Sequence, residues 1–220
     1  MESLDLLANN LANSSTNGFK SDGEFYTLIR AELPLIEKRW TDFTQGRVIP
    51  TGNALDLALE GPGFFALNAP TGVVYTRNGS FQISGARQLV TAEGYSLRNL
   101  RDGGRPITVD PQRPIEIDAS GVVRQDGQEV GQLELAGFEA PSDALAKLGS
   151  SYFARWGEAG PASPARAIVR QGAIEQSNVA PAEVAVRLVS VMRQFEMLQR
   201  AMTVGAEMNK RAAEELARTS

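Results

Sequence analysis

The stretch from residue 179 to the C-terminus restricts the fold most. From Val184 the apolar side chains fall at Val184, Leu188, Val191, Phe195, Leu198 and Met202, a 4-3-4-3-4 spacing that makes a heptad seam. The repeat continues more weakly through Gly205, Asn209, Ala212 and Leu216. Asn178 stands where a cap would sit. Pro181 falls in the first turn, where a missing N–H costs little, and no proline follows it. The spacing predicts one helix over 179–217, about 57 Å long at 1.5 Å rise per residue. Its outer face carries acid-before-base pairs four residues apart: Glu183–Arg187, Glu196–Arg200, Glu207–Arg211 and Glu214–Arg218. That order is the favourable one, worth roughly 0.3 kcal/mol per pair. Such pairs keep a helix soluble but hold it to nothing, so the seam needs apolar cover.

The other end of the chain offers some. In LDLLANNLANSSTNGFK, residues 4–20, Leu4, Leu7 and Leu11 repeat at helical spacing with Ala8 and Ala12 beside them. Asn13, Ser14, Ser15, Thr16, Asn17 and Gly18 follow, all residues that favour caps and turns. About 12 helical residues remain, and an isolated helix that short is marginal in water. Burying one leucine is worth about 1.5–3 kcal/mol, so pairing with the long helix would offset much of the cost of ordering it. The two terminal helices are therefore expected to pair as a coiled-coil-like element. The alternative is that the long helix docks on its own globular domain. Against that, the seam is longer than a small domain would cover, and the excess points to assembly with other chains.

Between the helices the pattern changes to short alternating runs: LDLALE (55–60), FFALN (64–68), VVYTR (73–77), SFQIS (80–84), QLVTA (88–92), ITVD (107–110), IEID (115–118), VVRQ (122–125) and GQLELAGF (131–138). Turn pairs such as Asn78-Gly79, Ser120-Gly121 and Asp126-Gly127 separate them, as in antiparallel β structure. The fold class read from this is α+β, with an antiparallel β-rich central domain and a helix at each end. The divisions are a helix and turn over 1–20, an extended connector over 21–52, the β domain over 53–156, a return connector over 157–178, and the long helix over 179–220.

Little in the chain supports chemistry. It has no histidine and no cysteine. The commonest general base and metal ligand is thus missing, and so are disulfides and thiolate metal sites. GPGFFA at 61–66 matches the dinucleotide fingerprint G-x-G-x-x-A, but it runs into a further strand instead of opening a helix, and reads as a hairpin turn. Asp56, Glu60, Asp110, Asp118 and Asp126 are scattered over turns and strand faces. Phe64, Phe65, Tyr75, Phe81 and Tyr95 read as core. The net charge of -4 gives no basic footprint for nucleic acid. No apolar run approaches the roughly 20 residues of a membrane span, and the N-terminus has no basic-then-apolar leader pattern. No catalytic, cofactor-binding or metal residue is expected, nor a small-molecule substrate.

LDLLANNLANSSTNGFK resembles the N-terminal signature of bacterial flagellar rod and hook proteins. TGNALDLALEGPGFFAL (51–67) and YTRNGSFQISGARQLVTAEGYSL (75–97) resemble further stretches of that family. QGAIEQSNVAPAEVAVRLVSVMRQFEMLQRAM (171–202) resembles its C-terminal signature. RQFEM at 193–197 is similar to proximal-rod more than to distal-rod members. The resemblance implies a structural subunit of the flagellar basal-body rod, in the periplasm. It implies export through the flagellar type III apparatus without leader cleavage, and partnership with itself and other rod subunits. Leu4, Leu7, Leu11, Val184, Leu188, Val191, Phe195, Leu198 and Met202 would form the helical interface. Asn13, Asn17 and Gly18 would end the first helix, and Gly172, Asn178 and Pro181 would mark the return into the second. Family members usually carry a further helical turn or several before the ANNLAN core, so an earlier start or a shortened first helix is expected. Without the resemblance, a β-domain binding protein on an oligomeric coiled-coil stalk would fit the same pattern.

Overall fold

The computed structural model describes residues 2–29, 33–156 and 163–218, with side chains for 3–24, 40–156 and 163–211. The chain divides into two compact units. One holds Met1–Leu11 and Ala180–Ser220, and the other Ala12–Val179.

The first unit is helical. Helix α1 spans Glu2–Ala12 and stops where the Asn/Ser/Thr run begins; its end is turned by Thr16 N–H donating to the Asn13 carbonyl. A 38-residue helix runs over Pro181–Arg218, matching the expected span and proline position.

The second unit is almost all β. In chain order its strands are β1 Asp22–Ile29, β2 Leu33–Thr41, β3 Val48–Pro50, β4 Leu57–Glu60, β5 Phe64–Ala69, β6 Gly72–Thr76, β7 Gln82–Ile83, β8 Leu89–Val90 and β9 Ser96–Leu97. They continue with β10 Glu116–Ile117, β11 Val122–Gln125, β12 Gln128–Gln132 and β13 Leu135–Gly137. After the one-turn helix α2, Pro141–Ala144, come β14 Leu145–Leu148, β15 Tyr152–Arg155, β16 Ser163–Pro164, β17 Ile168–Gln171 and β18 Ala173–Glu175. The C-terminal helix is α3. All pairings among these strands are antiparallel. The main sheet runs β14-β15-β6-β5-β9-β8-β7, with β13 and β16 joined at β5. β10-β11-β12 form a second sheet, and β1-β2, β17-β4 and β18-β3 pair in isolation.

The strand runs of the sequence mostly become strands, with two exceptions. ITVD forms only a bridge from Gln88 to Thr108, although Ile107 and Val109 are buried in the core. GQLELAGF breaks at Leu133, whose N–H donates to the Gly121 carbonyl and whose side chain enters the core, so β12 and β13 belong to different sheets. Residues 21–52, read as an extended connector, contain the β1–β2 pair and β3, and the return segment supplies β16, β17 and β18. The Asp126-Gly127 turn behaves as expected. Both residues have positive φ, 50° and 76°, and they join β11 to β12 with Gln125 opposite Gln128, the backbone a tight two-residue hairpin demands.

The larger core gathers Leu57, Leu59, Phe65, Leu67, Leu97 and Val123 with ten further residues. A smaller one is aromatic: Phe64, Tyr75 and Phe153, with half-buried Phe43 and Phe138 against them at centroid separations of 5.0–5.9 Å. Phe65 and Phe81 are buried in the larger core, and Tyr95 packs against it. At Gly79 the fit is tight enough that a Cβ would lie 1.5 Å from the Leu57 carbonyl oxygen.

The carboxylates serve turns and ion pairs. Asp118 takes the Ser120 hydroxyl, the N–H groups of Ser120 and Val122, and the Arg124 guanidinium. The Ser120 hydroxyl does most to hold its carboxyl down at about 2. The unfolded carboxyl titrates near ~3.9, so between these values the unfolded chain binds more protons and stability rises with pH. The Asp118 contribution is complete above about pH 4 and lost as pH falls through about 2. Urea midpoints measured against pH should show this acid limb flatten in Asp118→Asn.

Candidate assembly site

The residues that close the first signature and open the last are fastened to each other. Gly18, at φ 66°, donates its N–H to the Glu175 carbonyl at 2.7 Å, and a Cβ there would sit 2.3 Å from the Arg77 backbone. Asn178 N–H donates to the Phe19 carbonyl. The Asn178 side chain accepts from Ser21 N–H at 2.7 Å and donates to the Asp42 carbonyl at 2.8 Å. It therefore joins separate segments and does not cap α3, whose first turn instead has Val184 N–H on the Ala180 carbonyl.

At the centre lies a buried ion network. Glu175 is 0% exposed, Lys20 1% and Arg77 4%. Glu175 Oε1 accepts from Lys20 Nζ at 2.6 Å and Gly46 N–H at 2.9 Å. Its Oε2 accepts from Arg77 Nε at 2.8 Å and faces Nη2 at 2.7 Å. Arg77 sends its remaining donors to the carbonyls of Gly61, Gly63 and Leu59. A guanidinium has five N–H donors, and each here has an acceptor. Lys20 also donates to the Thr44 carbonyl at 2.6 Å. Burial pushes both Lys20 and Arg77 below their ordinary values, against the opposing pull of Glu175. Lys147 closes one side, its ammonium on Asp22 and the Lys20 carbonyl and 3.9 Å from the Phe19 ring centroid.

The GPG turn is thus explained. Gly61 and Gly63 present carbonyls to Arg77, and the segment leads from β4 into β5, not into a helix. Sequence reasoning missed Lys20, Arg77 and Glu175 altogether. Their signal was present: each is a charged residue inside one of the four signature stretches, flanked by apolar or turn residues.

The expected helical interface is distributed unevenly. On α1, Leu6, Leu7 and Asn10 are buried while Leu4 and Leu11 are half-buried, so the covered face lies one residue round from the 4-7-11 stripe. On α3, Val184, Leu188 and Val191 are half-buried, but Phe195, Leu198 and Met202 are 42%, 64% and 68% exposed. Ala212 and Leu216 lie outside the described side chains. Further large apolar residues that the heptad reading passed over are also exposed, among them Met197, Val204 and Met208. At 100° per residue, Val184, Leu188, Val191 and Phe195 cluster on one side of α3. Leu198 and Met202 stay on that side, while Val186, Met197, Val204 and Met208 form a second stripe turned by roughly 150°. α3 therefore carries two apolar stripes, the heptad seam and a second one well round from it. Among the described residues no helix is long and apolar enough to cross a membrane, and no group of three or more metal-ligating side chains gathers.

Residues 58–125 match the family described as flagellar hook protein FlgE/F/G D1 domain, and residues 170–215 match flagellar basal body rod FlgEFG protein C-terminal. The flagellar basal-body rod protein FlgF of Caulobacter vibrioides is 33% identical over 231 residues, covering 97% of this chain and 91% of that one. The FlgF of Mesorhizobium japonicum is 32% identical, covering 88% and 83%. The rod protein FlgG of Borreliella burgdorferi is 32% identical, covering 93% and 89%. With the first and last segments of its β unit latched through Gly18, Glu175 and Asn178, and with relatives matched over nearly their whole length, this chain belongs to the flagellar basal-body rod protein family.

Proposed function

We propose that the protein is a structural subunit of the flagellar rod that polymerises through its terminal helices to form part of the drive shaft. The observation that carries the reading is the exposed apolar face of α3. Leu198, Met202 and Met208 are each more than 60% exposed, while the β unit has closed its own core. A surface of that kind has its cover in other chains. The partners are the same helices of sister and homologous rod subunits, with α1 and α3 pairing in the coiled-coil manner that the 184–202 spacing suits. RQFEM at 193–197 favours the proximal, FlgF-like position. A family of structural proteins calls for no catalytic residue. The same reading has the subunit exported through the flagellar type III apparatus and placed in the periplasm.

Deletion of the gene tests the reading. Cells should lose motility, and tomograms of their basal bodies should lack the rod beyond this subunit's position, with both restored by the wild-type gene. Motile deletion cells with complete rods would overturn it. The stalk-type alternative predicts a soluble oligomer of fixed size, and the family assignment leaves it without support.

A further inference from the structure

Two early strands of the β unit have their ladder partners only in the late segment 168–175, among the described residues. β4 pairs with β17, residue for residue from Leu57↔Gln171 to Glu60↔Ile168, and β3 pairs with β18. β4 is deeply buried, with Leu57, Ala58 and Leu59 at 1% exposure or less. A buried strand without a ladder leaves costly unpaired backbone groups. The same late segment ties down other early pieces. Gln171 accepts from Ile117 N–H and donates to the carbonyls of Ala54 and Ile115. The Gly172 carbonyl accepts from Thr51 and Gly52 N–H. Glu175 supplies the carboxylate facing Lys20 and Arg77. By contrast the main sheet, from β5 to β9 with β13 to β15, draws no strand from 168–178.

We infer that residues 168–178 are a latch: the layer formed by residues 18–21 and 46–60 stays open until this late segment docks, whereas the main sheet forms without it. The unit then has two opening levels, and its first quarter closes only when its last part is available. The inference rests on the fold and is independent of the rod reading.

Hydrogen exchange of the full-length protein in mild denaturant tests it. The amides of 48–49, 57–60 and 168–175 should share one opening equilibrium, distinct from that of 64–69 and 74–76. Gln171→Ala should speed exchange in the first group about tenfold or more and leave the second unchanged. Because the natural chain has no cysteine, single thiols give a second readout. In the Gln171→Ala background Ala58→Cys should label faster, and Ala66→Cys, equally buried in β5, should not. Protection of 48–60 that persists while 168–175 opens would overturn the latch. So would equal acceleration at both sites, or a wild-type protein in which all strands open together.

Discussion

Replacing Glu175 by glutamine is expected to lower the stability of the unit Ala12–Val179 by about 3–5 kcal/mol, read as a shift in the urea midpoint. Glutamine keeps the size of the side chain, so packing is conserved and the loss is electrostatic. One carboxylate now faces two cations and a backbone N–H, all out of water. Without it Lys20 and Arg77 remain buried beside each other with no carboxylate bonded to either. Breaking such a network from one side costs far more than replacing it whole. Lys20→Met in the Glu175→Gln background should therefore recover part of the loss, a sign reversal that independent effects would not give. Since natural domains have only about 5–15 kcal/mol in total, the single variant is expected to be partly unfolded at growth temperature. A midpoint within experimental error of wild type would refute the role assigned to the network.

The second large effect is on assembly. Leu198→Asp with Met202→Asp should abolish motility while leaving the β unit's unfolding within about 0.5 kcal/mol of wild type. Both side chains are mostly solvent-exposed in the single chain, at 64% and 68%, so an aspartate there costs little before assembly. Once a neighbouring helix covers the site, two carboxylates lose water with no partner, a penalty of several kcal/mol per subunit interface. Leu198→Met, which keeps volume and polarity, should remain motile. Full swimming by the double aspartate variant would place the contact elsewhere.

These two sites were not equally legible in the sequence. The α3 seam and the limits of both helices follow from local rules: a 4-3 repeat, a proline in the first turn, and a turn-forming run after Ala12. The hairpin at Asp126-Gly127 was readable for the same reason, whereas Asn78-Gly79 joins β6 to β7, which do not pair with each other. β17 and β18 were not. Ile168–Gln171 is four residues long with only Val169 buried, too short to show a period, and its partner lies over a hundred residues away. The ion network was hidden for a related reason. Lys20, Arg77 and Glu175 look like ordinary surface charges until non-local pairing brings them together. The second apolar stripe of α3 escaped because a heptad template follows one seam only and passes over Met197, Val204 and Met208.

The hairpin at Asp126 and Gly127 has a practical corollary. Both residues are exposed, they lie outside the four signature stretches, and their backbone already reverses direction within two residues. A fluorescent reporter or affinity handle spliced between them would leave the chain's ends unencumbered, where a conventional terminal tag would burden the very helices proposed to mesh with their neighbours.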